Sequence, residues 1–169
     1  MWQYTGKTRP DFAIPPGPSQ ESVWDYPRPP QIVNDHRKVA VLAASILIAE
    51  SKECLRVLET ASPPTWYIPV KDVHLHYLRE IEGDSICEWK GKASYFELLH
   101  QPGEIVGWQY RNPTLQFQKI ADCISFYPGR LKCYVDGESV QPQPGFFYGG
   151  WVTKEIVGPY KGMPGTSGW

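Results

Sequence analysis

Apolar residues recur along this chain in short runs punctuated by proline, glycine or Asp-Gly, a pattern that predicts strands rather than long helices. Thr65-Trp66-Tyr67-Ile68 is rich in β-formers and is closed by Pro69. Val73 to Glu80 alternates as a strand does, and Gly83-Asp84 marks a turn after it. Ser85 to Trp89 and Ala93 to Leu99 read as the two arms of a hairpin broken at Gly91. Ile105 to Tyr110 is a further strand, ended by Asn112-Pro113. Leu131 to Val135 and Glu138 to Val140 flank Asp136-Gly137, a strong hairpin signal because both residues tolerate positive φ. One stretch predicts a helix of about three turns: Leu115 to Ile124, apolar at Leu115, Ile120, Cys123 and Ile124 and stopped by Pro128-Gly129.

Two segments stay open on pattern alone. Val39 to Glu50 is Ala-rich enough for a buried helix. It also divides into Val39-Ala40-Val41-Leu42 and Ile46-Leu47-Ile48-Ala49, although Ala43-Ala44 is poor turn chemistry. Ser51 to Thr60 reads as one helical turn or an irregular link into Pro63-Pro64. The ends differ from the middle. Residues 1–35 are an extended arm rich in proline and aromatic rings (Trp2, Tyr4, Phe12, Trp24, Tyr26), expected to pack on the domain because disordered tails are poor in aromatics. Residues 36–140 form the β-rich core domain. Residues 141–169 form a second strap alternating Gly and Pro with large rings.

Composition sharpens this only slightly. With 169 residues and 41% hydrophobic content, one domain with a real core is expected. A net charge of -1 argues against nucleic-acid binding, which needs a clustered basic surface. The longest apolar run, Val39 to Ala49, is too short to cross a bilayer. Cys54, Cys87, Cys123 and Cys133 contain no C-x-x-C pair and follow no secretory leader, so free thiols and a cytoplasmic location are expected.

Several motifs occur together in order: Tyr67-Ile68-Pro69 with Asp72-Val73, then Cys87-Glu88-Trp89-Lys90-Gly91 with Ala93 and Tyr95, then Phe126-Tyr127-Pro128 and Asp136-Gly137-Glu138. Over about residues 36–140 this set resembles the "domain of unknown function 427" family. The resemblance implies a mainly β fold, a small antiparallel domain of β-tent or barrel-like kind, to which the chain's own pattern adds one short helix near 115–124 and extended N- and C-terminal arms. It also implies that Val39 to Glu50 is a β-hairpin. A nucleotidyltransferase-type label attaches to that family, but the residues do not support it. The chain has no G-x-x-x-x-G-K-[ST], no G-x-G-x-x-G, and no D-x-D spacing of carboxylates for paired metal ions.

The densest chemistry lies in Cys87 to Tyr95. A thiol is nucleophilic as thiolate, and a lysine beside it favours that form, so Cys87 and Lys90 meeting across the turn at Gly91 are the catalytic candidates. The plainer alternative makes Cys87 a small buried hydrophobe and Lys90 a solvated turn residue. As a binding pocket, the same region offers Tyr67, Cys87, Trp89, Lys90, Tyr95 and Trp108. Asp72, His74 and His76 share one face if their segment is a strand, which makes them metal-ligand candidates, although two histidines on a polar strand face need no metal. No cofactor is expected. The expected function is a soluble protein binding a small molecule or peptide on the sheet face near Cys87 to Tyr95. Its alternatives are an enzyme of unknown reaction using Cys87 or Lys90, and an interaction protein forming a homodimer through its aromatic arms.

Overall fold

Period-two alternation does become pleated sheet, but in more and shorter pieces than the pattern suggests. The structure, a computed structural model, describes residues 2–169. In chain order the first strands are β1 (Glu21–Ser22), β2 (Gln31–Asp35), β3 (Val39–Ala43), β4 (Ile46–Ser51), β5 (Cys54–Leu58), β6 (Thr65–Pro69), β7 (Leu78–Cys87) and β8 (Gly91–Leu98). They continue as β9 (Gly107–Gln109), β10 (Cys123–Phe126), β11 (Lys132–Val135), β12 (Glu138–Ser139), β13 (Gln141–Pro142), β14 (Trp151–Val152) and β15 (Ile156–Val157). Seven of them form one antiparallel sheet in the order β2-β5-β6-β10-β9-β8-β7. Four more form a second sheet, β12-β11-β3-β4. The large sheet does not close into a barrel, since β2 and β7 remain its edges.

The two faces of the large sheet have different fates. One face presents Trp66, Ile68, Phe96, Leu98, Ile124 and Phe126 to the second sheet's Val39, Val41, Ile48, Cys133 and Val135, forming the main core. Trp151 from the C-terminal strap completes it, stacked on Trp66 with ring centroids 5.7 Å apart. The other face carries Tyr67, Ala93, Tyr95 and Trp108, and is partly covered by Phe117 and Ile120. Adjacent residues of β6, Trp66 and Tyr67, therefore belong to opposite faces, as the pleat requires.

Val39 to Glu50 is the β3–β4 hairpin, with antiparallel pairing from Val39↔Ser51 to Ala43↔Ile46. Its two-residue turn puts Ala44 at φ 52°, a conformation glycine would adopt without a Cβ penalty. Asp136 (φ 46°) and Gly137 (φ 81°) make the β11–β12 turn as their sequence indicates.

Three expectations need correction. Leu115 to Ile124 is not a three-turn helix: Leu115–Ile120 is a 3-10 segment, kinked at Phe117, and Cys123 already begins β10. The buried pair Phe117 and Ile120 sits at the three-residue repeat of a 3-10 turn, while Cys123 and Ile124 point to opposite sheet faces. Gly83-Asp84 is not a turn. Pairing runs Ile81↔Tyr95 and then Asp84↔Ser94, so Glu82 and Gly83 form a bulge inside β7, with Gly83 at φ 115°. Ser51 to Thr60 contains β5, an inner strand between β2 and β6, rather than a helical turn or link.

Residues 31–35 of the N-terminal arm form edge strand β2, and both arms fold back on the chain. β1 pairs in parallel with β15. Trp24 and Tyr26 are buried with Val23, Ala61 and Ile156. Tyr4, Phe12 and Trp169 ring Trp24 at centroid distances of 5.1–5.2 Å. Among the described residues, no helix is long and apolar enough to cross a membrane.

Candidate functional site

The second face of the large sheet carries a half-open cavity of about 420 Å³. Its floor is built from the sheet: Tyr67 on β6, Trp108 on β9 and Tyr95 on β8. Its side wall is the β7–β8 hairpin, where Cys87 pairs with Gly91 around the three-residue loop Glu88-Trp89-Lys90. Gly91 sits at φ 97°, the backbone freedom this loop needs to close. A neighbouring loop pins the hairpin tip. Thr114 Oγ1 donates to Trp89 O at 2.6 Å, and Thr114 N donates to Lys90 O at 3.2 Å.

The roof comes from the arms. Gly149 lies directly on the Trp108 ring, where a Cβ would come within 2.2 Å of the indole, so glycine is required by close approach alone. Gln143 ties the strap together, accepting from Gly150 N at 3.1 Å and donating to Lys161 O at 2.7 Å. Arg130 lies 4.0 Å over the Tyr127 ring and donates to Ile105 O and Phe146 O, which holds the loop carrying Phe147. Trp2 completes the cover, with the Arg28 guanidinium 4.1 Å from one ring centroid and the Lys161 ammonium 4.7 Å away. Ile86 and Phe147, both largely exposed, line the cavity as well.

All six residues expected to form a pocket, Tyr67, Cys87, Trp89, Lys90, Tyr95 and Trp108, line this one cavity. Tyr110, Tyr127, Gln143, Tyr148, Lys161 and Trp2 line it too and were not anticipated. Tyr127 lay within the quoted Phe126-Tyr127-Pro128 motif. The strap residues carry no periodic signal that would have placed them.

The cavity also carries polar groups, among them Glu59, Ser85, Lys90, Gln143 and Lys161. Trp108 Nε1 faces the Tyr67 hydroxyl at 3.4 Å, and Ser85 Oγ and Tyr95 OH share a hydrogen bond of 2.5 Å. Burial raises the pKa of Tyr67 and Tyr110 and pushes Tyr127 up to about 12, so these phenols stay protonated across the neutral range. Lys90 is only 8% exposed. Burial opposes its charge, but Tyr67, Cys87 and Glu59 more than offset that, and its pKa is raised. Lys161 is shifted the other way, lowered by burial and by the nearby Arg28.

Cys87 and Lys90 both line the cavity at the turn, and the thiol lies near enough to influence the charge of the ammonium. No histidine lines the cavity among the described residues, so Cys87 has no general base of the Cys-His kind there. Asp72, His74 and His76 are not on a strand. They lie on and between the 3-10 turns Val70–Asp72 and Leu75–Tyr77, so the strand face is absent, although the His74 and His76 rings still stack with centroids 5.9 Å apart. Asp72 accepts from Ser51 Oγ at 2.5 Å, His74 Nδ1 lies 2.9 Å from Leu47 O, and His76 packs 4.1 Å from Tyr77. Among the described residues, no three His, Cys, Asp or Glu side chains converge as metal ligands.

A family model described as domain of unknown function (DUF427) matches residues 31–137. The chain belongs to this family. No curated protein matches it. The DUF427 segment runs from β2 through β11, so it holds the cavity floor and the Cys87–Gly91 wall. Trp2, Gln143, Phe147, Tyr148, Gly149 and Lys161 lie outside it. The floor is thus family structure, and the roof is supplied by this chain's flanking arms.

Proposed function

We propose that this DUF427 protein binds a small ring-bearing molecule in the cavity beside Cys87 to Tyr95. The observation that carries the reading is the shape and lining of the pocket. A half-open pocket of about 420 Å³ is bounded by Tyr67, Tyr95, Trp108, Tyr110 and Tyr127. Walls of this kind offer a planar molecule the close dispersion contacts that protein interiors make with themselves. The volume lies in the range of small-molecule sites, and the mix of aromatic walls with a few polar groups has their usual composition. A small molecule fits this space better than an extended peptide. The four unpaired thiols suit a reducing compartment, and we infer a cytoplasmic, soluble protein.

The test uses N-phenyl-1-naphthylamine, a neutral probe that fluoresces in apolar surroundings. Saturable enhancement with the full chain, weakened about tenfold or more in Trp108→Ala, is the expected result. Non-saturable enhancement, or equal binding by the variant, would count against a site at this cavity.

A further inference from the structure

We propose that the ligand is a monoanion, an aromatic carboxylate whose acid group seats on Lys90 Nζ while its ring lies among Tyr67, Tyr110 and Trp108. This rests on the reading that the cavity binds a small molecule, and adds the chemical class.

Elsewhere in the fold, buried cations have oxygen partners. Arg28, as buried as Lys90, donates to Thr60 O and Tyr4 O and lies 3.4 Å from Glu59. Arg56 is flanked by Asp35 at 3.0 Å and Glu21 at 3.1 Å. Lys161 donates to Trp169 O at 3.2 Å. Lys90 breaks this pattern. Among the described residues no carboxylate lies within 4.0 Å of its Nζ and no oxygen accepts from it. Its neighbours are the Cys87 thiol and Tyr67, with the Tyr110 ring centroid 5.8 Å away.

An ammonium carries three donors, and a thiol is a weak acceptor. Ring faces offset part of the charge, but they do not satisfy N–H groups. The cavity's own acids do not fill the gap either. Glu59 is engaged by Arg28, and Glu88 is exposed on the hairpin loop. Lys90 is also not a loose side chain that wandered inward, because Thr114 holds the carbonyls of Trp89 and Lys90. A carboxylate arriving with the ligand would supply the missing charge-assisted hydrogen bonds. The cavity's other lysine, Lys161, already donates to Trp169 O, so Lys90 is its one ammonium with no oxygen acceptor among the described residues, and one such group matches one negative charge. A dianionic phosphate would bring a second charge into an aromatic cavity whose remaining ammonium is already engaged.

Isothermal titration of the full chain with 2-naphthoate, 2-naphthalenemethanol and 2-naphthyl phosphate decides the matter. In the wild type the carboxylate is expected to bind about 10- to 100-fold tighter than the alcohol, the usual worth of a hydrogen bond to a charged group. In Lys90→Met that ratio falls to about one while alcohol binding is retained. In Lys92→Met, which removes an exposed lysine paired with Asp84 at 2.6 Å, the ratio is unchanged. Equal affinity of acid and alcohol in the wild type overturns the proposal, as does a ratio that survives in Lys90→Met, or tighter binding of the phosphate. Alcohol binding without acid preference leaves the cavity reading standing and removes only the charge assignment; failure of all three probes removes both. Should Lys90→Met fail to fold by circular dichroism, the wild-type ratio decides alone.

Discussion

Trp66 and Tyr67 are neighbours on one strand, and each has cations nearby, yet the two sides of the sheet treat them differently. Over Trp66 lie the guanidinium groups of Arg37 and Arg56, at 5.2 and 5.8 Å from the ring. Both are held by acids: Arg37 by Asp35 and Glu155, Arg56 by Asp35 and Glu21. Beside Tyr67 lies Lys90, with no acid partner among the described residues. Trp66 stacks on Trp151 in a filled core, while Tyr67 borders open volume. Aromatic rings and cations therefore do not mark a site by their presence. What distinguishes the site is that its rings border a pocket and its buried ammonium has no acid partner among the described residues.

The largest effect separating the two sides is on stability. Trp66→Ala is expected to cost about 3–5 kcal/mol, because it leaves a hole in a packed core and strips cover from paired charges. In a chain of this size that lowers the melting temperature by roughly 10 °C or more. Trp108→Ala, on the cavity side, should cost about half as much, since part of its ring already borders empty space. Thermal denaturation of both variants checks this. If Trp108→Ala proves as costly as Trp66→Ala, the cavity is more tightly packed than its volume indicates, and the contrast between the faces collapses.

The same contrast decided what could be read from the sequence. The Cys87–Tyr95 strand–turn–strand was legible because Gly91 and the flanking β-formers are local signals. Strand β5 was missed for a physical reason: Arg56 interrupts its apolar run, and its burial is intelligible only once Asp35 and Glu21 are beside it. Ala44 at φ 52° hid the β3–β4 turn, which only the family resemblance recovered. Gly83 gave a correct signal for positive φ, but a bulge and a turn need the same residue. The cavity roof was out of reach, because Trp2, Gln143 and Lys161 meet the floor through long-range packing that leaves no periodic trace.

A middling effect concerns thiol reactivity. Burial pushes Cys54 up to about 12 and Cys123 up to about 11, and also raises Cys133, so all three stay protonated and shielded at neutral pH. Cys87 is half-buried, lines the cavity and lies beside Lys90. Iodoacetamide near pH 8 should alkylate Cys87 about tenfold faster than the others, as read by peptide mass spectrometry. Labelling at Cys54 or Cys133 with equal speed would show that the packed side opens as readily as the cavity.

The smallest expected effect lies with the paired charges over Trp66. Burial alone would raise the Asp35 carboxyl, but hydrogen bonds from Arg37 and the charge of Arg56 hold it below its ordinary 3.8. For Glu21, burial is likewise outweighed by Arg56 and Tyr26, which hold it below its ordinary 4.5. A depressed carboxyl contributes stability that is fully present above its unfolded value and disappears as pH falls through the folded one. The melting temperature should therefore be level near neutrality and drop below about pH 4.5. Asp35→Asn should melt lower than wild type at pH 7, with the two curves converging as the acid limb is descended. Because Arg37 and Glu21, which share this network with Asp35, are partly exposed, the gap should be a few degrees and shrink with added salt. A gap of constant size from pH 7 to pH 3 would mean that Asp35 matters through shape rather than charge. The ordered pairing over Trp66 would then no longer serve as the reference against which Lys90 stands out.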